Sequence, residues 1–209
     1  MSETARREGI CRFARSLFER GLTPGTSGNI TIRLDDGGLL CTPTNVSLGF
    51  LDPARLTRLD KQGRLIDGDP PTKEIPLHTA LYDTRASAGA IVHLHSTHSV
   101  AVSMLPEVDP ADVLPPLTAY YIMRVGRTVL VPYHAPGDPA IDQAIRGLAG
   151  RYSAVLLSNH GPVVAGTSLE TAVWAIEELE ETAKLYLLLR GLNPRILTAA
   201  QVAALAHTP

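Results

Sequence analysis

Two cysteines in 209 residues, Cys11 and Cys41, are too few for a disulfide framework and lie at no metal-binding spacing. A reducing cytoplasm is therefore the expected compartment. No apolar run approaches the ~18 residues of a membrane span. The opening residues, Met1 to Glu8, lack the apolar core of a secretion signal. A formal net charge of -2 gives no field that would draw the chain to nucleic acid or an anionic membrane, so neither is an expected partner. Internal repeats, low-complexity tracts and a charge asymmetry between halves are also missing. What remains is an ordinary globular mix, 44% hydrophobic and 19% charged, long enough for one domain over residues 1–209 with a sizeable core.

Periodicity supplies the elements. Ile10, Phe13, Ala14, Leu17 and Phe18 follow helical spacing over residues 4–20, closed by Gly21 and Pro24. Residues 29–34 alternate like a strand, and Asp35-Asp-Gly-Gly38 is a hairpin signal into a return strand over 39–42. Residues 58–60 and 64–66 suggest a second, small hairpin. A helix is expected over about 72–85, with Pro76 tolerable only in its first turn, which puts Glu74 at the helix start. Further helices are expected over 97–104, from Asp138-Pro139 to about 149, and over 198–206. Short buried strands are expected over 129–132 and 154–158. Thr167-Ser-Leu-Glu170 reads as a capping box opening a long helix to Arg190. Helices and strands alternate without clear βαβ periodicity, so the fold reads as α/β or α+β around a central mixed sheet.

Within this pattern Gly89-Ala-Ile-Val-His-Leu-His-Ser96 carries the chemistry. It is a short run with β-branched residues, and on a strand His93 and His95 project to the same face. Two neutral imidazoles side by side are half of a tetrahedral metal site. They are equally two core or surface histidines, each satisfied by its own hydrogen bond. His160, at the end of a strand before Gly161 and Pro162, adds a third imidazole, and Glu74 adds a carboxylate. That donor set suits Zn2+ or another borderline divalent ion such as Mn2+, Co2+ or Fe2+. The bland alternative is that His160 caps a strand and Glu74 complements a helix dipole. His98, three residues after His95, reads as a support for the ligands, and His78, one turn after Glu74, as packing or such a support. His134, in a proline-flanked loop, reads as lining the mouth of a cleft. A carboxylate in a low-dielectric cleft is expected to have its pKa raised, which would suit Glu74 to proton transfer.

The loops Thr26-Ser-Gly-Asn29 and Thr42-Pro-Thr-Asn45 offer hydroxyls and backbone N–H groups, the chemistry that cradles phosphate, although such residues also make ordinary turns. Lys73, between Thr72 and Glu74, adds a cation beside them.

Together, Gly25-Thr-Ser-Gly-Asn29, Thr42-Pro-Thr44, Thr72-Lys-Glu74, His93-Leu-His95 and Asn159-His-Gly161, in this order, resemble the class II aldolase/adducin family over about residues 13–190. The resemblance implies a three-layer α/β/α sandwich about a mixed, mainly antiparallel sheet, assembled as a cyclic homotetramer. It implies a divalent metal, usually zinc, on Glu74, His93, His95 and His160. It also implies phosphate contacts from Ser27, Gly28, Asn29, Thr44, Asn45, Thr72 and Lys73. The family uses a tyrosine near Tyr120 and Tyr121 that reaches across a subunit interface, and Tyr120 is the preferred candidate. Thr72-Lys73 departs from the two serines that precede the glutamate in the family's fuculose-phosphate aldolases. With residues 44–53, 114–118 and 132–138 it resembles instead a branch that decarboxylates a four-carbon 3-oxo sugar-acid 4-phosphate. On that resemblance Glu74, Lys73 and Tyr120 are the expected catalytic residues and a small sugar-acid phosphate the expected substrate. The rivals are a metal-dependent sugar-phosphate aldolase or epimerase, and a non-catalytic adducin-like binding module.

Overall fold

The computed structural model describes residues 2–205. The helices are α1 (Glu3–Glu19), α2 (Ile75–Thr84), α3 (Thr97–Ser103), α4 (Ala119–Arg124), α5 (Ala140–Gly147), α6 (Leu169–Leu189) and α7 (Ala199–Leu205). The strands are β1 (Asn29–Arg33), β2 (Leu39–Cys41), β3 (Thr57–Leu59), β4 (Leu65–Asp67), β5 (Ala90–His93), β6 (Thr128–Val131), β7 (Ala154–Leu157) and β8 (Gly161–Gly166). They form one sheet in the order β4-β3-β2-β1-β5-β8-β7-β6, in which only β6 and β7 run parallel. The expected mixed, mainly antiparallel sheet between helical layers is thus present.

Strand alternation sorts side chains between the two layers. Ile30, Ile32, Val92 and Leu94 join the core shared with α1 and α6, through Ile10, Leu17, Ile176 and Leu179. Ile91 and Val163 turn to the other face and pack under α2 and α5 with Leu77, Leu81 and Ile145. Each of these fully buried aliphatic side chains contributes roughly 1.5–3 kcal/mol of burial free energy. His93 shares the face of Ile91, so the imidazoles project into the α2 layer.

Several elements differ from expectation. The helix around Glu74 starts at Ile75, with Glu74 as its N-cap and Pro76 within the first turn. The capping box of α6 is one residue later than expected: Ser168 is the N-cap and Thr171 its partner. The reason is local. Thr171 returns its hydroxyl to the Ser168 backbone at 2.9 Å, leaving Glu170 free on the outer turn. Thr118 caps a helix, α4, where no element was assigned, by accepting the Tyr121 N–H at 3.1 Å. Strand β8 was not anticipated at all. Of the expected tail helix, Ala206 lies outside the described residues.

Candidate metal centre

His93 ends β5, and its neighbours on both sides are strands. Asn29 of β1 is its partner in one register and Val163 of β8 in the other. Its Nδ1 faces the Pro162 carbonyl at 2.9 Å. A carbonyl only accepts, so Nδ1 carries a proton, and Nε2 is the nitrogen turned to the cluster. His95 lies two residues on, just before α3. His160 is the last residue of the three-residue loop joining β7 to β8, in which Asn159 takes a left-handed φ of 56°. Gly161 permits the close pass: a Cβ there would meet the Leu94 carbonyl oxygen at 2.2 Å. The hairpin therefore lays His160 against the end of β5.

The result is one cluster. Nε2 of His95 lies 3.1 Å from Nε2 of His93, which lies 3.3 Å from Nε2 of His160. Glu74 faces two of the three, with Oε2 at 3.4 Å from His93 and Oε1 at 3.4 Å from His160. Burial, and then the crowding by neighbouring imidazoles, lowers His95 to about 3 and His160 to about 4, so both are neutral at pH 7. Three imidazole nitrogens and a carboxylate therefore converge with few protons among them, the electron-rich setting a cation relieves. A tetrahedral ion with bonds of about 2.0–2.2 Å needs donors about 3.3–3.5 Å apart. The three imidazoles, whose donor atoms lie within 4.8 Å of one another, fit a divalent cation, with the Glu74 carboxylate beside two of them.

Glu74 departs from expectation in its acidity. Burial does push its carboxyl up, but His93, the Asn29 hydrogen bond, His160 and His78 outweigh that and hold it down at about 2. In this arrangement Glu74 is an ionised donor and not a stored acid.

Its position is set by a buried polar ladder between α2 and β1. Glu74, His78 and Tyr82 recur every four residues on the helix, and Asn29 and Thr31 every two on the strand. Both repeats advance about 6–7 Å, so the two rows interlock. Asn29 Nδ2 donates to Glu74 Oε2 at 2.6 Å, and its carbonyl accepts from His78 Nε2 at 2.5 Å. Thr31 Oγ1 donates back to His78 Nδ1 at 2.9 Å, and the Tyr82 hydroxyl donates to Thr31 backbone oxygen at 3.0 Å. Burial holds His78 near 3, so the ladder orients the carboxylate without carrying a charge. Tyr82 and Thr31 were not singled out from the sequence, although the four-residue stripe on α2 was a legible signal.

The remaining candidates divide. Ser27, Gly28 and Asn29 form the approach to β1. There Gly28 has φ 79°, and a Cβ would come within 2.9 Å of the His93 carbonyl oxygen. The side chain of Asn29 is taken by Glu74 and His78. Thr44 and Asn45 meet the Thr72-Lys73 segment: Pro43 bridges to Pro71, and the Thr44 N–H donates to Pro70 at 3.0 Å. Thr72 is buried and accepts the Glu74 N–H at 3.3 Å, while Lys73 is exposed. His98 does not support the ligands; its Nδ1 donates to Glu180 at 2.8 Å. Tyr121 is buried against Thr128, and Tyr120 is exposed on α4 beneath Arg124. Neither tyrosine lines the spaces beside the cluster.

Two such spaces flank His160. One is a slot with Lys73, Glu74, Pro136 and His134 in its walls. The other is an open cleft of about 450 Å³ lined by His95, Tyr133, Asn159 and Pro136. Together they give a ligand access to the donor cluster from either side of residues 133–137.

Residues 8–187 match the profile described as the Class II Aldolase and Adducin N-terminal domain. The chain is 49% identical over 189 residues to a 3-oxo-tetronate 4-phosphate decarboxylase of Cupriavidus necator, covering 90% of this chain and 87% of that protein. It superposes on the crystal structure of YgbL from Escherichia coli with a TM-score of 0.94 at 46% identity, over 97% of this chain and 98% of the other. More distantly, it is 33% identical to the L-fuculose phosphate aldolase of Escherichia coli over 169 residues, covering 80% of this chain and 75% of that protein.

Proposed function

The chain belongs to the class II aldolase/adducin family, and from that premise we propose that it is a metal-dependent 3-oxo-tetronate 4-phosphate decarboxylase, a carboxy-lyase of sugar-acid breakdown. The substrate is a four-carbon 3-oxo acid with a 4-phosphate, and the products are dihydroxyacetone phosphate and CO2. The 49% identity to the Cupriavidus decarboxylase carries the choice of reaction, because four donors of this kind serve decarboxylases and aldolases alike. We propose that the chain acts as one domain within a cyclic homotetramer in the cytoplasm. Met123, Trp174, Leu188 and Leu192, exposed on and beside α4 and α6, support burial of that face against another copy.

Glu74, His93, His95 and His160 would hold the cation, with zinc the best match to three imidazoles and one carboxylate. A divalent ion there would supply Lewis-acid stabilisation of the oxygen that receives the electron pair when CO2 leaves. The chain does the rest. The ladder through Asn29 and His78 holds Glu74 ionised and aimed. Ser27, Gly28, Thr44, Asn45 and Thr72 are proposed to seat the phosphate, consistent with the way the 42–45 and 70–73 segments bridge. Breaking C1–C2 leaves an enediolate that must gain a proton at C2. With Glu74 held near 2, the proposed donor is Tyr120, exposed and free to reach the site of a neighbouring copy.

Supplying 3-oxo-tetronate 4-phosphate to the zinc-loaded protein should release CO2 and dihydroxyacetone phosphate in equal amounts with no aldehyde present. Condensation of dihydroxyacetone phosphate with an aldehyde, and no CO2 release, would favour instead the aldolase reading that the 33% likeness keeps in play.

A further inference from the structure

We propose, resting on the decarboxylase reading, that the slot beside Glu74 and His160 is the subsite for the substrate's C1 carboxylate and for the CO2 it becomes, with Lys73 and His134 positioning the carboxylate at its rim. The slot is walled by Leu77 of α2, Ile141 of α5, Leu157 of β7 and Pro136. It is much the smaller of the two spaces, since the cleft on the other side of Pro136 holds about 450 Å³. Size ranks them: the phosphorylated arm belongs to the cleft, which leaves the slot to the small carboxylate end. Glu74 and His160 belong to both the donor cluster and the slot wall. A substrate held at the cluster therefore has its neighbouring carbon at the slot mouth.

The wall chemistry matches the reaction. A carboxylate becomes neutral CO2, so apolar walls that exclude water disfavour the ion relative to the product. Lys73 at the rim, not the floor, draws the carboxylate in without stabilising it where it must break, and His134 sits beside it in the same wall. Lys73 is exposed and has no ion-pair partner among the described residues. Gly137, at φ 83°, lies beside it: a Cβ added there would stand 3.7 Å from Lys73 Cβ. His134 Nδ1 lies 3.6 Å from Asp138 Oδ2, and Asp138 is itself fixed by accepting the Ala140 N–H at 2.9 Å. In the step itself the C1–C2 bond breaks, its electron pair passes to C2 and the C3 oxygen, CO2 departs into the slot, and one proton is taken up at C2.

The test is calorimetric binding of two probes to the zinc-loaded protein: 4-phosphoerythronate, which carries the carboxylate, and dihydroxyacetone phosphate, which does not. His134→Asn and Lys73→Gln should each weaken the acid phosphate about tenfold and change dihydroxyacetone phosphate by less than about twofold. Ile141→Thr, which wets the slot, should lower kcat with the acid-phosphate affinity held. Equal loss of both probes, or an unchanged acid-phosphate affinity in both rim variants, would overturn the subsite. Wild-type protein that binds both probes yet releases no CO2 from the 3-oxo acid phosphate would overturn the underlying decarboxylase reading.

Discussion

Glu74 and Glu180 are both buried carboxylates at the N-terminal end of a helix, and both face a histidine. Glu180 reaches from α6 to the start of α3, where it accepts from the His98 and Ser99 N–H groups at 2.9 and 2.8 Å. It also accepts from the Ser99 hydroxyl at 2.6 Å and from His98 Nδ1 at 2.8 Å. Every oxygen of Glu180 meets a proton. Glu74 accepts one hydrogen bond, from Asn29, and otherwise faces Nε2 of His93 and of His160 at 3.4 Å. Burial works to raise both groups, and in both the surroundings overcome it. Hydrogen bonds do so for Glu180, while for Glu74 the neighbouring His93 does so first and the Asn29 hydrogen bond next. A satisfied carboxylate holds the fold together. An unsatisfied one, ringed by other donors, is a site waiting for a cation.

The largest expected effect that would sharpen this contrast is on activity. His95→Ala should cut decarboxylation at least about a thousandfold, since the Lewis acid is lost, while the unfolding midpoint of the metal-free protein barely moves. Comparable turnover in the variant would remove His95 from the cluster. Glu180→Ala should do the reverse. It strands two backbone N–H groups at the start of α3 and should cost about 3 kcal/mol in urea unfolding. The metal bound per folded chain should stay the same, and a loss of metal there would break the comparison.

A smaller effect separates the regions by pH. In the metal-free protein His95 and His160 sit near 3 and 4 against an ordinary 6.5, so the unfolded chain binds protons that the folded one refuses. Stability should therefore fall as pH drops from about 6.5 toward 4. Glu180 is lowered from 4.5, so its contribution is present above that value and is lost only as pH falls below it. Thermal melts that stay flat between pH 7 and 5 would contradict the account of the cluster.

The parts of this arrangement that the sequence disclosed share a physical character. His93 and His95 were legible because i and i+2 of an extended segment share a face, although β5 itself ends at His93 and His95 continues just past it. Glu74 was legible because Pro76 fixes where α2 can begin. Strand β8 was not, because Gly161-Pro162 reads as a stop. Pro162 lacks an N–H, yet the strand uses its carbonyl, which accepts from Leu94 N at 3.2 Å and from His93 Nδ1. The ladder was half visible, as a four-residue stripe on α2 and an alternation on β1, but no local signal says that those two rows meet. Glu180 as a cap for α3 was invisible, since donor and acceptor lie more than 80 residues apart in the chain. The expectation of a raised Glu74 failed for a related reason: burial was predictable from the chain, and the imidazoles around it were distant in sequence.

The most direct measurement is the metal content of purified protein by elemental analysis, for the wild type, His95→Ala and Glu180→Gln. The account predicts about one divalent ion per chain in the wild type and in Glu180→Gln, and almost none in His95→Ala. Wild-type protein that carries no metal, and still decarboxylates its substrate after chelator treatment, would contradict it.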